Sequence, residues 1–162
     1  MMCSKVIFGC LAMLCSSAIV ASGLKPFTEQ SMSGLTNARD GEPFLLVLWS
    51  VECPPCMKEL EIFQQLRSAG RTFDLVLIST DSPDTEPQAL SILASYGLDD
   101  MDAWIFAHDY SERLRYQVDP DWFGELPRAY FYDAQHQRLG VSGALKKEAL
   151  VQWVDSMDQM KR

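Results

Sequence analysis

Phe44-Leu45-Leu46-Val47-Leu48-Trp49-Ser50-Val51-Glu52-Cys53-Pro54-Pro55-Cys56 carries an unbroken apolar run into two cysteines separated by two prolines. The run from Phe44 to Trp49 follows the turn Asp40-Gly41-Glu42-Pro43. An apolar segment of that length, bounded by a turn, predicts a central strand buried on both faces. After Pro55, the apolar residues Met57, Leu60, Phe63 and Leu66 recur every third position, with polar residues filling most of the rest. This spacing predicts an amphipathic helix, ended by Gly70. The cysteine pair therefore falls where a buried strand meets a helix.

That placement has chemical consequences. Unpaired backbone N–H groups and the macrodipole favour negative charge at a helix N-terminus. A thiolate is the nucleophilic form of cysteine, and Cys53 stands where one would be stabilised. Cys56 lies one turn on and can reach back to resolve a mixed disulfide. Pro55 suits the first helical turn, where its missing N–H would have no partner anyway. Two thiolates could also form half of a zinc site. There is no second C-x-x-C, however, and the two histidines, His108 and His136, lie in polar stretches and read as exposed loop residues. Neither a metal nor an organic cofactor is expected.

The rest of the chain alternates. Phe27–Arg39 reads as a short helix or an irregular lead-in. Phe73–Ser79 reads as a second buried strand, Asp81–Asp84 as a loop, and Glu86–Tyr96 as a helix stopped by Gly97. Ala103–Ala107 is a short strand and Ser111–Gln117 a short helix. Arg128–Tyr132 and Arg138–Val141 form a hairpin around the polar turn Asp133–Gln137. Lys146–Met160 is a terminal amphipathic helix carrying Leu150, Val151, Trp153, Val154 and Met157. The sequence order is strand, helix, strand, helix, strand, helix, hairpin, helix. It implies an α/β fold with a central mixed sheet flanked by helices on both faces.

Residues 1–23 read as an export signal. Lys5 supplies the positive charge, Val6–Val20 the apolar run, and Ala18, Ala21, Ser22 and Gly23 the small residues near a cleavage site. The run is short for a bilayer span of about 20 residues. An uncleaved anchor is the alternative, and a lipid anchor at Cys15 fits poorly because the bulky Leu14 precedes it. Residues 24–162 then form the exported domain, periplasmic or otherwise extracytoplasmic. Of the five cysteines, Cys3, Cys10 and Cys15 fall in the export segment, which leaves Cys53 and Cys56. A disulfide-stapled secreted scaffold would spread its cysteines along the chain. Closing so short a loop removes little chain entropy, so this pair reads as chemical rather than structural. With 48% hydrophobic and 22% charged residues the composition is that of a globular protein, which excludes disorder and collagen-like structure. The net charge of −8 argues against nucleic acid and anionic lipid as partners.

The stretch Phe44–Leu60 resembles the active-site region of the thioredoxin superfamily. It is most similar to the TlpA/ResA branch, which includes the cytochrome c maturation reductases. The residues that carry the likeness are Trp49, Cys53-Pro54-Pro55-Cys56, Lys58 and Glu59. Leu126-Pro127-Arg128-Ala129-Tyr130-Phe131 resembles the family's second landmark, a cis-proline before a strand. Gly140, Gly143 and the terminal helix extend the likeness over about residues 41–157. The resemblance implies a thioredoxin-like fold and a redox-active Cys53–Cys56 pair. It also implies a client-binding surface of Trp49, Pro54, Pro55, Leu126 and Pro127, where an extended client segment pairs with the Leu126 backbone. Recharging by a membrane thiol carrier is likewise an implication of the family.

Three features depart from the family pattern. Thioredoxin has a buried Asp six residues before its first cysteine; here that position is Val47. The proton for Cys56 must then go to water or to Glu125. The residue before the first cysteine is Glu52, where the superfamily often has Trp; its carboxylate opposes thiolate formation at Cys53 and favours a reducing dithiol. The loop Asp119–Glu125 is long and places Trp122 and Phe123 just before Pro127, either as an exposed partner surface or folded back on the domain. The reading that results is a disulfide reductase acting on client proteins as a monomer. Its rivals are a disulfide-introducing oxidase and a non-enzymatic metal- or client-binding assembly factor.

Overall fold

In the computed structural model, residues 23–160 are described; residues 1–22 of the expected export segment, with its three cysteines, lie outside them. The strand expected at the centre is there. Strand β2 (Phe44–Trp49) pairs in parallel with β3 (Leu75–Ser79) on one edge and antiparallel with β5 (Arg128–Tyr132) on the other. Beyond β3 lie β4 (Asp102–Phe106) and then β1 (Lys25–Phe27), both parallel; beyond β5 lies β6 (Arg138–Ser142), antiparallel. The sheet order is β1-β4-β3-β2-β5-β6, so the hairpin makes it mixed.

Successive side chains of a strand point to opposite faces, and two cores follow from that alternation. Leu45, Val47 and Trp49 of β2 point one way with Leu75 and Leu77 of β3. They meet α2 (Pro54–Ser68), α3 (Glu86–Ser95) and α5 (Lys147–Met160) through Leu60, Phe63, Leu93, Leu150 and Val154. Phe44, Leu46 and Leu48 point the other way with Val76 and Ile78. They meet α1 (Ser31–Asn37) and α4 (Ser111–Val118) through Leu35, Leu114 and Val118. Burial on both faces accounts for the unbroken apolar run in β2.

Gly70 and Gly97 end their helices as expected. Each has a positive φ, 75° and 61°, which glycine adopts without a Cβ penalty. At Gly70 the chain turns so that Gly70 N–H donates to the Arg67 carbonyl and Arg71 N–H to the Leu66 carbonyl, satisfying the helix end.

Strand β1 was not expected from the sequence. It is three residues long, and its middle residue is Pro26, which has no N–H to donate and is tolerated because the strand is an edge. Its anchor is Phe27, fully buried and stacked on Phe106 at 5.7 Å. The lead-in contains a true helix, α1. Strand β3 starts at Leu75 rather than Phe73; just before it, the Asp74 carbonyl accepts from the Leu45 N–H at 2.9 Å and the Asp74 carboxylate meets Arg39 at 2.6 Å. Arg39 also reaches Asp102 at 2.8 Å, and so ties the end of α1 to the starts of β3 and β4. The histidines are not exposed loop residues. Each is half-buried, with His108 beside Glu29 at 3.3 Å and His136 against the Arg39 carbonyl at 2.9 Å.

Phe44 is fully buried and stacks on Tyr132 with ring centroids 4.3 Å apart. Phe44→Ala should lower unfolding free energy by about 3–5 kcal/mol, the usual cost of a large cavity, as read by urea denaturation.

Candidate functional site

Cys53 is the N-cap of α2, with an extended backbone (φ −106°, ψ 93°), and Pro54 and Pro55 open the helix behind it. Its Sγ accepts a hydrogen bond from the Cys56 N–H at 3.2 Å. The two sulfurs form a disulfide with an S–S distance of 2.04 Å. The first helical turn holds no acidic residue. The pair is asymmetric: Cys53 is 9% exposed and Cys56 1%. Pro54 and Pro55 flank the disulfide at the surface. Cys53 is thus the more exposed of the pair, and it stands at a helix end, an environment that stabilises a thiolate.

Trp49 and Pro127 lie beneath this surface. Trp49 is 1% exposed, packed in the core cluster that also holds both cysteines. The antiparallel register pairs Leu48 with Arg128, and continuing it sets Pro127 beside Trp49. The Leu126–Pro127 bond is cis, as the family resemblance implies. The Pro127 carbonyl accepts from the Gly143 N–H at 2.9 Å, which anchors this segment to the end of the hairpin. Leu126 is half-buried and packs against both cores. Of the five residues expected to line a client surface, Pro54, Pro55 and Leu126 reach solvent, while Trp49 and Pro127 support them from below.

Val47 is fully buried on the α2 face, so the strand offers no carboxylate to the site. The helix does. Glu59 is one turn past Cys56 and only 1% exposed. Its Oε1 accepts from the Leu145 N–H at 3.0 Å, while its Oε2 is buried with no hydrogen-bond partner among the described residues. Burial pushes its pKa up to about 7, against the opposing pull of the Leu145 N–H. Sequence reading noted Glu59 as a landmark but gave it no role. The clue was its spacing: the buried stripe of α2 is Cys56, Glu59, Leu60, Phe63 and Leu66, and Glu59 falls on it.

Glu125 does not suit the proton-acceptor role. Its Oε1 accepts from the Ser142 hydroxyl at 2.6 Å and lies 3.5 Å from Arg128. The Ser142 hydrogen bond and the Arg128 charge outweigh partial burial and hold its pKa below the usual carboxylate range. The two aromatics of this loop part company. Trp122 folds back, 4% exposed, its indole N–H donating to the Glu125 carbonyl at 2.9 Å, whereas Phe123 is 92% exposed. Asp119, at the start of the loop, is buried and was also missed. It accepts from the Tyr130 hydroxyl and from Arg138, each at 2.8 Å, and pairs with Arg128 at 3.3 Å.

Solved structures share the fold. A secreted disulfide oxidoreductase of Mycobacterium tuberculosis, described as homologous to E. coli DsbE, superposes with a TM-score of 0.57 at 20% identity, over 74% of this chain and 85% of its own. MTB dsbF, in mixed oxidised and reduced forms, superposes at 0.59 with 18% identity, over 75% of this chain and 84% of its own. The chain has the thioredoxin fold. A DsbF homologue from Corynebacterium diphtheriae gives 0.58 at 18% identity, with 75% of each chain covered. No protein-family model and no curated protein sequence matches the chain.

Burial of Glu59 makes stability depend on pH. Its folded pKa of about 7 lies above the ordinary 4.5, so the folded state holds the proton more tightly than the unfolded chain. The protonated acid is free of the penalty below about 4.5, and stability is lost as pH rises through about 7. Glu59→Gln should remove this loss, making the oxidised variant more stable than wild type at pH 8 by up to about 3 kcal/mol and little different at pH 4.5, as measured by urea denaturation at both pH values.

Proposed function

We propose that the protein is an exported thiol–disulfide oxidoreductase that reduces disulfides in client proteins. The observation that carries this reading is the Cys53–Cys56 disulfide at the N-terminus of α2, with Cys53 slightly exposed at 9% and Cys56 enclosed at 1%. The Cys53 thiolate attacks one sulfur of a client disulfide, and the client's other sulfur leaves as a thiolate. Cys56, as a thiolate, then attacks Cys53 Sγ and releases the second client sulfur. Two electrons pass from the enzyme dithiol to the client, which takes up two protons. Glu59, one turn from Cys56 and with a pKa near neutrality, is placed to take the proton that Cys56 loses. Pro54, Pro55 and Leu126 form the surface met by an extended client segment, and the exposed Phe123 extends it.

Export is supported by the charged, apolar and small-residue pattern of the N-terminus and by the secreted character of the M. tuberculosis structural relative. Among the described residues, no helix is long and apolar enough to cross a membrane. In an oxidising compartment the dithiol needs a thiol donor to recharge it, for which a membrane-borne carrier is the natural candidate. The reducing direction is supported by Glu52. Its carboxylate, next in sequence to Cys53, opposes the thiolate that a strong oxidant must stabilise.

Equilibration with glutathione or dithiothreitol buffers should give a Cys53–Cys56 potential near or below about −220 mV. A value near about −120 mV would make the protein an oxidase, and failure to form a reversible disulfide would move metal or client binding to the front. Cys56→Ser should accumulate a mixed disulfide with a client that wild type releases. Glu52→Gln should lower the Cys53 thiol pKa and raise the potential by up to about 30 mV, which corresponds to a tenfold change in the exchange equilibrium.

A further inference from the structure

Three residues, Ser50, Val51 and Glu52, join β2 to the helix that carries the dithiol. Within this turn the Cys53 N–H donates to the Ser50 carbonyl at 3.1 Å, and the Glu52 N–H to Ser50 Oγ at 3.2 Å. Both bonds are local and leave the turn free to shift as a body. The bonds that hold it in place come from another strand. Asp81 lies two residues past β3, and its carboxylate receives three donors. Oδ1 accepts from the Ser50 hydroxyl at 2.6 Å. Oδ2 accepts from the Val51 N–H at 2.9 Å and from the Ser79 hydroxyl at 2.6 Å. Ser79 is fully buried at the end of β3 and in turn accepts from the Asp81 N–H at 3.2 Å, so the carboxylate is itself fixed. Alongside, the Thr80 N–H donates to the Trp49 carbonyl at 2.9 Å.

Hydrogen bonds to an ionised carboxylate are about twice as strong as neutral ones, and misplacing a nucleophile by about an ångström can cost orders of magnitude in rate. We propose that Asp81 is a positioning residue for disulfide exchange, clamping the Ser50–Glu52 turn to the end of β3 and so fixing the Cys53 sulfur at the N-terminus of α2. The role rests on the function proposed above. Asp81 works through the turn and not on the sulfur. Its requirement is for acceptors in the right place, and an amide can meet most of it. In Asp81→Asn the amide oxygen can take the Val51 and Ser79 donors, while the amide nitrogen donates to Ser50 Oγ.

The test follows two readouts in the reduced full chain: the second-order rate of oxidation by oxidised glutathione, and the pH midpoint of Cys53 alkylation by iodoacetamide, located by mass. Asp81→Ala should slow oxidation by about tenfold or more and raise the alkylation midpoint, since the loosened turn no longer holds Cys53 against the helix end. Asp81→Asn should recover most of that loss. Asp84→Ala removes the same charge from an exposed site three residues along and should change neither readout. Should Asp81→Ala fail to fold by thermal unfolding, Ser50→Ala cuts one arm of the clamp, together with the local Glu52 N–H bond to Ser50 Oγ, and should still slow oxidation by about two- to fivefold. Wild-type rates in a folded Asp81→Ala or in Ser50→Ala would overturn the role alone. Asp81→Asn failing as badly as Asp81→Ala would replace the clamp with a charge effect and also overturn it. A wild-type protein that does not exchange with glutathione at all would overturn the proposed function, and this role with it.

Discussion

Strand β2 is hydrogen-bonded along both edges and buried along its whole length, and the candidate site is built at its end. Moving it would break two ladders and expose two cores, which makes it the most costly element to displace. The turn that leads to the cysteines leaves from its last residue, Trp49, and α2 begins five residues later at Pro54. From the opposite side, the antiparallel register with β5 brings the Leu126–Pro127 segment to the same end of the sheet. Two segments more than seventy residues apart in sequence thus converge because both are continuations of neighbouring central strands. The chemistry sits at the margin of a rigid body, where access is available without loss of order.

This arrangement explains which parts of the fold were legible in the sequence. Strand β2 announced itself because burial on both faces demands an unbroken apolar run, and helices α2 and α3 because Gly70 and Gly97 end them by a mechanism glycine alone performs cheaply. Strand β1 left no such mark. A three-residue edge strand has no room for a period, and what holds it is Phe27 docking on a core assembled from distant residues. The same limit applied at the site. The cysteines were visible as a motif, but Asp81 looked like an ordinary loop residue because its three donors come from two different strand ends. Trp122 and Phe123 are neighbours of similar character, and only the fold decides that one is buried and the other exposed.

Glu59 shows how a site can exchange one source of acid for another. With Val47 in the strand, β2 offers the dithiol no carboxylate, and the one that is present lies along the helix on the same buried stripe as Cys56. An unpaired carboxylate oxygen in such surroundings costs stability, which proteins usually tolerate where the group has work to do. Here desolvation brings the acid near neutrality, the range in which a proton can be both taken and returned.

The unequal exposure of the two sulfurs has a kinetic consequence. In the proposed exchange, a thiol from solution would compete for Cys53, while Cys56, at 1% exposure, would meet only its neighbour. Once a mixed disulfide has formed, its lifetime is set by an intramolecular encounter at an effective concentration far above that of any free thiol in the surroundings. Resolution is therefore insulated from the thiol content of the medium. Under the proposed function, a bound client would be held for an interval fixed by the protein's own geometry, even where the surrounding redox buffer fluctuates.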